Sequence, residues 1–263
     1  MSIRRRPVGQ LAMAAAAIAI GCCAVGHAGI ISHWGLDDGS GTTADDSVGT
    51  NDGTLSGAAS FTTLGRVGGA VEFTGGQVTL PAAVLAAVNA GDTVSASMWI
   101  RPRSFAGFYN TVFDSSGRHL SLWIESPTVG WAGAGGGSAG LSFSPAWTLD
   151  EWQHLVVSYA GSIASRPYLV YRDGTQVASW LNGGGQTFSS PWIIGGNPSG
   201  GGSPFDGYID DIQVYDHVLT LGEIQWLRDH PGLNLSNAIP EPATFSLLAL
   251  GGLGLLRRRR KAV

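Results

Sequence analysis

Between Gly29 and Ile239 this 263-residue chain contains no lysine and no cysteine. Without cysteine the segment has no disulfide and no thiolate metal site, so its stability must come from a packed core. Without lysine its positive charge is seven arginines, set against eighteen acidic residues for a net charge of −11. Such a surface is unsuited to nucleic acid, whose phosphates need clustered cations, and suits divalent cations better. Long helical periods are missing too, which argues against a helical bundle or an α/β sheet. Charged residues are only 13% of the chain and hydrophobic ones 44%, too apolar a balance for disorder. Forty glycines punctuating short hydrophobic runs point instead to a single all-β domain.

The remaining positive charge sits at the two ends. Arg4, Arg5 and Arg6 precede an apolar run from Leu11 to Ile20 and a small-x-small site at Gly26-His27-Ala28, so residues 1–28 read as an export signal helix removed by signal peptidase. Cys22 and Cys23 fall inside it, and Ala19-Ile20-Gly21-Cys22 offers the alternative of a lipidated Cys22. At the other end Pro240, Glu241 and Pro242 are followed by an apolar stretch, 243–256, and by Arg257, Arg258, Arg259, Arg260 and Lys261. Fourteen helical residues span roughly 21 Å, short of the roughly 30 Å hydrocarbon core, so the stretch is a poor permanent anchor. Basic flanks at both ends favour keeping both in the cytoplasm and exporting what lies between. This three-part tail, 240–263, resembles the PEP-CTERM sorting signal of Gram-negative bacteria that make exopolysaccharide. The resemblance implies a hydrophobic sorting helix that anchors the chain transiently in the inner membrane, removal by an exosortase, and release to the cell envelope or extracellular matrix.

Between the ends, β-branched and aromatic runs alternate with Gly, Asp, Asn and Pro clusters. Strands are expected near Ile30 to Leu36, Ala70 to Phe73, Gln77 to Leu80, Val94 to Arg101, Thr111 to Phe113, His119 to Glu125, Trp152 to Tyr159, Tyr168 to Arg172, Gln176 to Leu181, Trp192 to Ile194 and Tyr208 to Tyr215. Strict alternation in the last would put Asp210, Ile212 and Val214 on one face and Asp211, Gln213 and Tyr215 on the other. Asp173-Gly174 is a hairpin signal. Pro81 opens a helical turn to Val88, and Thr220 with Glu223 forms a capping box for a closing helix.

The ordered series Trp34-Gly35-Leu36-Asp37, Asp52-Gly53-Thr54-Leu55, Gly65 to Ala70, the strand around Trp99, Trp152 to Val157, Tyr171-Arg172-Asp173-Gly174, Ile194-Gly195-Gly196 and Phe205 to Asp211 resembles the LamG-like domains of the concanavalin A-like lectin and glucanase fold. The resemblance implies an all-β, two-sheet antiparallel jelly-roll sandwich with a short C-terminal helix. It places the domain at 29–232 and leaves 233–239 as a linker. It also implies carbohydrate or protein binding, with first and last strands adjacent, and often a calcium ion.

Calcium wants six to eight oxygens; Asp37, Asp46 and Asp211 are the candidate ligands of a structural calcium ion, against the alternative of turn-forming aspartates. No EF-hand spacing is present. Among nine tryptophans, Trp34, Trp99, Trp152 and Trp226 are expected to be buried. Trp131 and Trp147 flank the glycine-rich stretch Gly133 to Gly140, read as a flexible surface loop, and with Tyr109 are the candidates to line a site for a polysaccharide or surface glycan. That stretch matches G-x-S-x-G and G-x-G-x-x-G only through its composition. A glucanase would need carboxylates in an E-x-D-x-x-E arrangement, which is absent, and His154 reads as a hydrogen-bonded structural residue. The expected function is therefore exported, non-catalytic binding in the envelope or matrix. A structural or adhesive matrix protein is the alternative, and a hydrolase with an unrecognised site the third.

Overall fold

The computed structural model describes residues 29–91, 93–105, 110–116, 120–134, 137–160, 166–182, 188–197 and 204–238. In chain order its elements are β1 (Ile30–Trp34), β2 (Thr43–Ala44), β3 (Gly53–Ser56), β4 (Ala59–Thr62), β5 (Ala70–Thr74), β6 (Gln77–Leu80), α1 (Ala82–Gly91), β7 (Val94–Pro102), β8 (Asn110–Ser116) and β9 (Leu120–Ser126). They continue with β10 (Val129–Ala134), β11 (Gly137–Ser142), β12 (Gln153–Tyr159), β13 (Arg166–Arg172), β14 (Thr175–Asn182), β15 (Ser189–Ile194), β16 (Asp206–Tyr215), α2 (Leu221–Asp229) and α3 (Leu235–Ala238). The signal and sorting segments, 1–28 and 240–263, lie outside the described residues.

Two antiparallel sheets face each other. Sheet A runs β14-β13-β12-β7-β16-β5-β4, with β1 also paired to β16; sheet B runs β11-β10-β9-β8-β15-β6-β3-β2. The first and last strands are adjacent as expected, from Ile30 opposite Tyr215 to Trp34 opposite Ile212. The inner faces interdigitate Trp34, Phe73, Met98 and Ile209 with Phe113, Leu122 and Trp192, all fully buried. Alternation along β12 sends Leu155, Val157 and Tyr159 into this core, while Val156 faces outward and is covered by α2 and α3 through Ile224, Leu227 and Leu235. α2 starts where the sequence places it: the Thr220 hydroxyl accepts the Glu223 N–H, and the Glu223 carboxylate accepts the Thr220 N–H. Asp173 and Gly174 both have positive φ, 49° and 77°, the type I′ geometry that joins β13 to β14.

The structure departs from the sequence reading in several places. Gly133 to Gly140 is not simply a loop: β10 and β11 pair from Val129 opposite Ser142 to Ala134 opposite Gly137. Pairing with β9 and the inward anchors Ala132 and Leu141 override the weak strand propensity of glycine. Strict alternation fails in β16, because four residues, Asp210 to Gln213, stand against three on β7, Trp99 to Ser97. This bulge, with Asp211 at φ 50°, turns Asp210 and Asp211 both to the outward face. Residues 233–238 are not a free linker: Leu235 is buried and Ala238 packs beside it against the domain. Trp152 and Trp226 are half-buried, Trp152 lying beside Tyr208 and Trp226 stacked on His230.

The outward face of sheet A carries a buried polar row, His154 opposite Trp99 and Trp99 opposite Asp210. His154 Nε2 is 2.8 Å from Ser97 Oγ, the structural role expected of it, and burial pulls its pKa down to about 4. Asp210 Oδ2 accepts the N–H groups of Arg66 at 2.7 Å and Val67 at 3.0 Å, and the Arg66 guanidinium lies 4.5 Å over the Trp99 ring. Burial pushes the Asp210 carboxyl up to about 7.

Gly195 has φ 76°, and a β-carbon there would stand 2.3 Å from the buried Phe73 ring. Gly195→Ala should lower unfolding stability by roughly 2–4 kcal/mol in denaturant titration, from backbone strain plus overpacking. The pKa shifts of Asp210 and His154 give opposite pH slopes. Asp210 binds its proton more tightly folded than unfolded, so its contribution is full below about pH 4 and is lost as pH rises through about 7. The contribution of His154 is full above its ordinary 6.5 and is lost as pH falls through about 4. Asp210→Asn keeps the accepting oxygen and cannot ionise; its melting temperature should exceed the parent's at pH 8 and match it at pH 4.5. A variant less stable by the same margin at both pH values would contradict this assignment.

Candidate functional site

Alternation along β9 sends Leu120, Leu122 and Ile124 into the core and leaves Ser121, Trp123 and Glu125 on the outward face of sheet B. On β10 the inward residue is Ala132, so Trp131 and Gly133 share that outward face. Register then sets Trp131 directly opposite Trp123 on one side and Gly140 on the other. The row continues to Thr111 of β8, opposite Trp123. Beside it runs a second row, Gly133, Ser121 and Asp114.

The two rings differ in exposure. Trp123 is buried and Trp131 is half-buried. Trp131 Nε1 donates to Glu125 Oε2 at 2.9 Å, which fixes the ring and orients the carboxylate. On its other flank the ring lies over Gly140, where a β-carbon would be 3.9 Å away. Gly140 is itself exposed and carries no side chain to shield the ring. The result is a half-buried indole on the outward face with a carboxylate at its edge, chemistry suited to the C–H face and hydroxyls of a sugar ring.

Of the three residues expected to line a site, Trp131 lies on this surface. Trp147 does not: it is buried in the core, edge-to-face with Phe143 at 5.5 Å and under the Arg172 guanidinium at 5.0 Å. Phe143 and Trp147 both enter the core cluster, so this flank of the glycine stretch leads inward. Tyr109 lies outside the described residues. Trp123 and Glu125 escaped the sequence reading because they join Trp131 only once β9 and β10 are recognised as a hairpin in this register.

Asp37, Asp46 and Asp211 do not form a cation site together. Asp37 is exposed and its Oδ1 accepts the Gly69 N–H. Asp46 accepts the N–H groups of His33 at 3.0 Å, Val48 at 3.1 Å and Asn51 at 3.2 Å. Asp211 Oδ1 lies 2.7 Å from His33 Nε2 and accepts Gln213 Nε2 at 2.8 Å, while Oδ2 accepts the Gly232 N–H at 2.7 Å. Burial disfavours charge on Asp46 and Asp211. For Asp46 the backbone hydrogen bonds led by His33 N–H outweigh it, and for Asp211 the His33 side chain and Gly232 N–H do, so both carboxyls stay below their ordinary range. Among the described residues no group of three or more His, Cys, Asp or Glu side chains stands where it could hold a metal ion. The oxygens of Asp46 and Asp211 are engaged by donors of the fold, while Asp37 stands apart with Oδ1 on the Gly69 N–H.

The sorting residues Pro240, Glu241, Pro242, Arg257, Arg258, Arg259 and Arg260 lie outside the described residues, and among those described no helix is long and apolar enough to cross a membrane.

Known proteins place this geometry. No curated protein matches the chain, but solved structures share its fold. Domain 4 of AbnA, an extracellular arabinanase of Geobacillus stearothermophilus solved with arabinotriose, is 21% identical with a TM-score of 0.57, over 77% of this chain and 99% of that domain. Trypanosoma rangeli sialidase with sialic acid is 17% identical with a TM-score of 0.59, over 76% of this chain but 33% of the sialidase. The binding domain of botulinum neurotoxin DC, in complex with SialylT, is 14% identical with a TM-score of 0.56, over 76% of this chain and 50% of that one. Identities this low establish the fold alone. Residues 238–261 match the PEP-CTERM protein-sorting motif, which marks the chain for export and membrane-associated sorting. Residues 72–225 match the model of the concanavalin A-like lectin/glucanases superfamily, and the chain belongs to that superfamily.

Proposed function

We propose that the exported domain is a non-catalytic module that binds a polysaccharide or surface glycan in the cell envelope or extracellular matrix. The observation that carries this reading is the outward pairing of half-buried Trp131 with Trp123, edged by the Glu125 carboxylate. A sugar ring stacks on the Trp131 face while Glu125 accepts its hydroxyls. The arabinanase domain in complex with arabinotriose and the sialidase in complex with sialic acid agree in kind with such a ligand, without naming this one. Hydrolysis is disfavoured because the E-x-D-x-x-E carboxylate set of the glucanases is absent from the sequence and Glu125 is committed to Trp131. An exosortase acts on the tail and signal peptidase on the leader during export.

Retention of the exported protein on immobilised bacterial and plant polysaccharides tests this reading. Trp131→Ala should weaken retention on the retained polymer at least about tenfold, the loss expected for a central aromatic anchor, measured at a temperature where the variant, which also loses the packing of a half-buried ring, is fully folded. Because Asp37, Asp46 and Asp211 are engaged within the fold, chelator should leave retention unchanged. Retention on no polymer would favour a structural or protein-binding matrix role, and release of reducing sugar would establish a hydrolase.

A further inference from the structure

The last described residues are clamped to the outward face of sheet A. Asp211 Oδ2 accepts the Gly232 N–H at 2.7 Å, Gln213 Nε2 donates to the Leu233 carbonyl at 3.1 Å, and the Leu235 N–H donates to the Tyr215 hydroxyl at 3.3 Å. His33 of β1 supports the clamp through Asp211. Leu235 is buried and Ala238 packs beside it. Peeling this segment away would strip partners from buried polar groups, which keeps the exit point of the tail fixed on the domain.

The apolar stretch of the sorting motif begins at Ala243, five residues past Ala238. Five residues reach at most roughly 18 Å when fully extended. With that stretch in a bilayer, the outward face of sheet A near α3 is held within that distance of lipid. This is also where exposed apolar side chains gather. Among the described residues seven large hydrophobic side chains are exposed, and three of them, Leu64 (51%), Val67 (40%) and Leu233 (44%), belong to two adjoining turns. A β-carbon on Gly232 would be 3.3 Å from Val67 Cγ1, so the turn before α3 and the loop after β4 form one surface. Arg66 sits in the same loop, with its guanidinium stacked on Trp99.

We propose that Leu64, Val67 and Leu233 rest against the lipid surface while the sorting tail is embedded, so that the domain stands on the membrane in one orientation before it is released. The proposal rests on the tail acting as a membrane-sorting segment. Short aliphatic side chains beside an arginine suit the headgroup and acyl boundary, where the arginine keeps its charge among phosphates. A protein partner would more often be met by an aromatic anchor at the centre of the patch, and none of these three residues is aromatic. The domain as a whole, at −11, has no other basic face whose attraction to anionic lipid would compete with this orientation.

The absence of cysteine from 29–239 allows single-site labelling. The full chain, with Cys22 and Cys23 replaced by serine, is inserted through its tail into phosphatidylethanolamine–phosphatidylglycerol vesicles doped with nitroxide-labelled lipid. A fluorophore is attached in turn to Leu64→Cys, Val67→Cys, Leu233→Cys and, on the opposite sheet, Val129→Cys. Quenching at the first three sites should exceed that at Val129→Cys by at least twofold. Equal quenching at all four sites on vesicles that carry the chain in a flotation gradient overturns the orientation and leaves the sorting role of the tail standing. A chain that does not float with the vesicles overturns the membrane role of the tail and the proposal with it. Crosslinking of these sites to a membrane protein in native membranes, without lipid quenching, overturns the lipid contact in favour of a protein one.

Discussion

Sheet A depends on its last strand. From Asp206 to Ile209, β16 is bonded to β5 on one side and β7 on the other; from Gln213 to Tyr215 it lies between β7 and β1. Among the described residues β1 has no other strand partner in the sheet. The N-terminal strand of the domain therefore waits for the C-terminal one, and the sheet closes only through contacts nearly 180 residues apart in sequence. Long-range closure of this kind is entropically costly and slow. With no disulfide available to hold the ends, the β1–β16 pairing and the inter-sheet core must form together. The bulge in β16 extends this dependence to the loops, since Asp210 holds the loop after β4 and Asp211 holds the turn before α3.

The charge imbalance of the domain takes on a different meaning in this light. Seven arginines cannot pair eighteen carboxylates, and a cluster of aspartates in a glycine-rich segment first suggests a cation. The fold answers with backbone donors instead. Asp46 gathers N–H groups from β1 and its own turn, Asp173 accepts the His154 N–H at 2.9 Å, and Asp210 and Asp211 accept from two separate loops. A carboxylate beside a tight turn finds such donors at short range, where each charge-assisted bond is stronger than a neutral one. The acids thus serve as loop clamps, and the glycines beside them let the backbone approach closely enough to donate.

How much of this was legible in the sequence follows from which interactions are local. β6 was read residue for residue, and β7, β12 and β13 to within a residue or two, because alternation and turn chemistry are written in adjacent residues. The capping box of α2 was legible for the same reason. The β10–β11 hairpin was not, since glycine there signals a loop and only pairing with β9 makes it strand. The bulge at Asp210–Asp211 was equally hidden: nothing in Ile209-Asp210-Asp211-Ile212 says which pair of neighbours will share a face until β7 supplies the register. The candidate site inherits the first of these. Trp131 could be picked out as a tryptophan beside glycines, but its partners Trp123 and Glu125 are set by cross-strand register, and Trp147, equally close to the glycines, turned out to plug the core.

The two outward faces of the sandwich point in opposite directions, and the sorting tail leaves from only one of them. Trp131 and Glu125 lie outside sheet B, whereas Gly232, Leu233 and Leu235 are bound outside sheet A. Packed sheets are roughly 10 Å apart before side chains and covering helices are added, so a domain tethered on the sheet A side holds its aromatic surface away from the lipid by more than that spacing. A polymer outside the membrane could then reach Trp131 while the tail is still embedded. Removing the tail would change where the domain can diffuse without remaking the binding surface, because no strand of sheet B takes part in the clamp. The clamp also remains after processing, since its donors and acceptors all lie at or before Leu235. On the proposed readings, sorting and binding would be separated by the thickness of the core, one on each sheet.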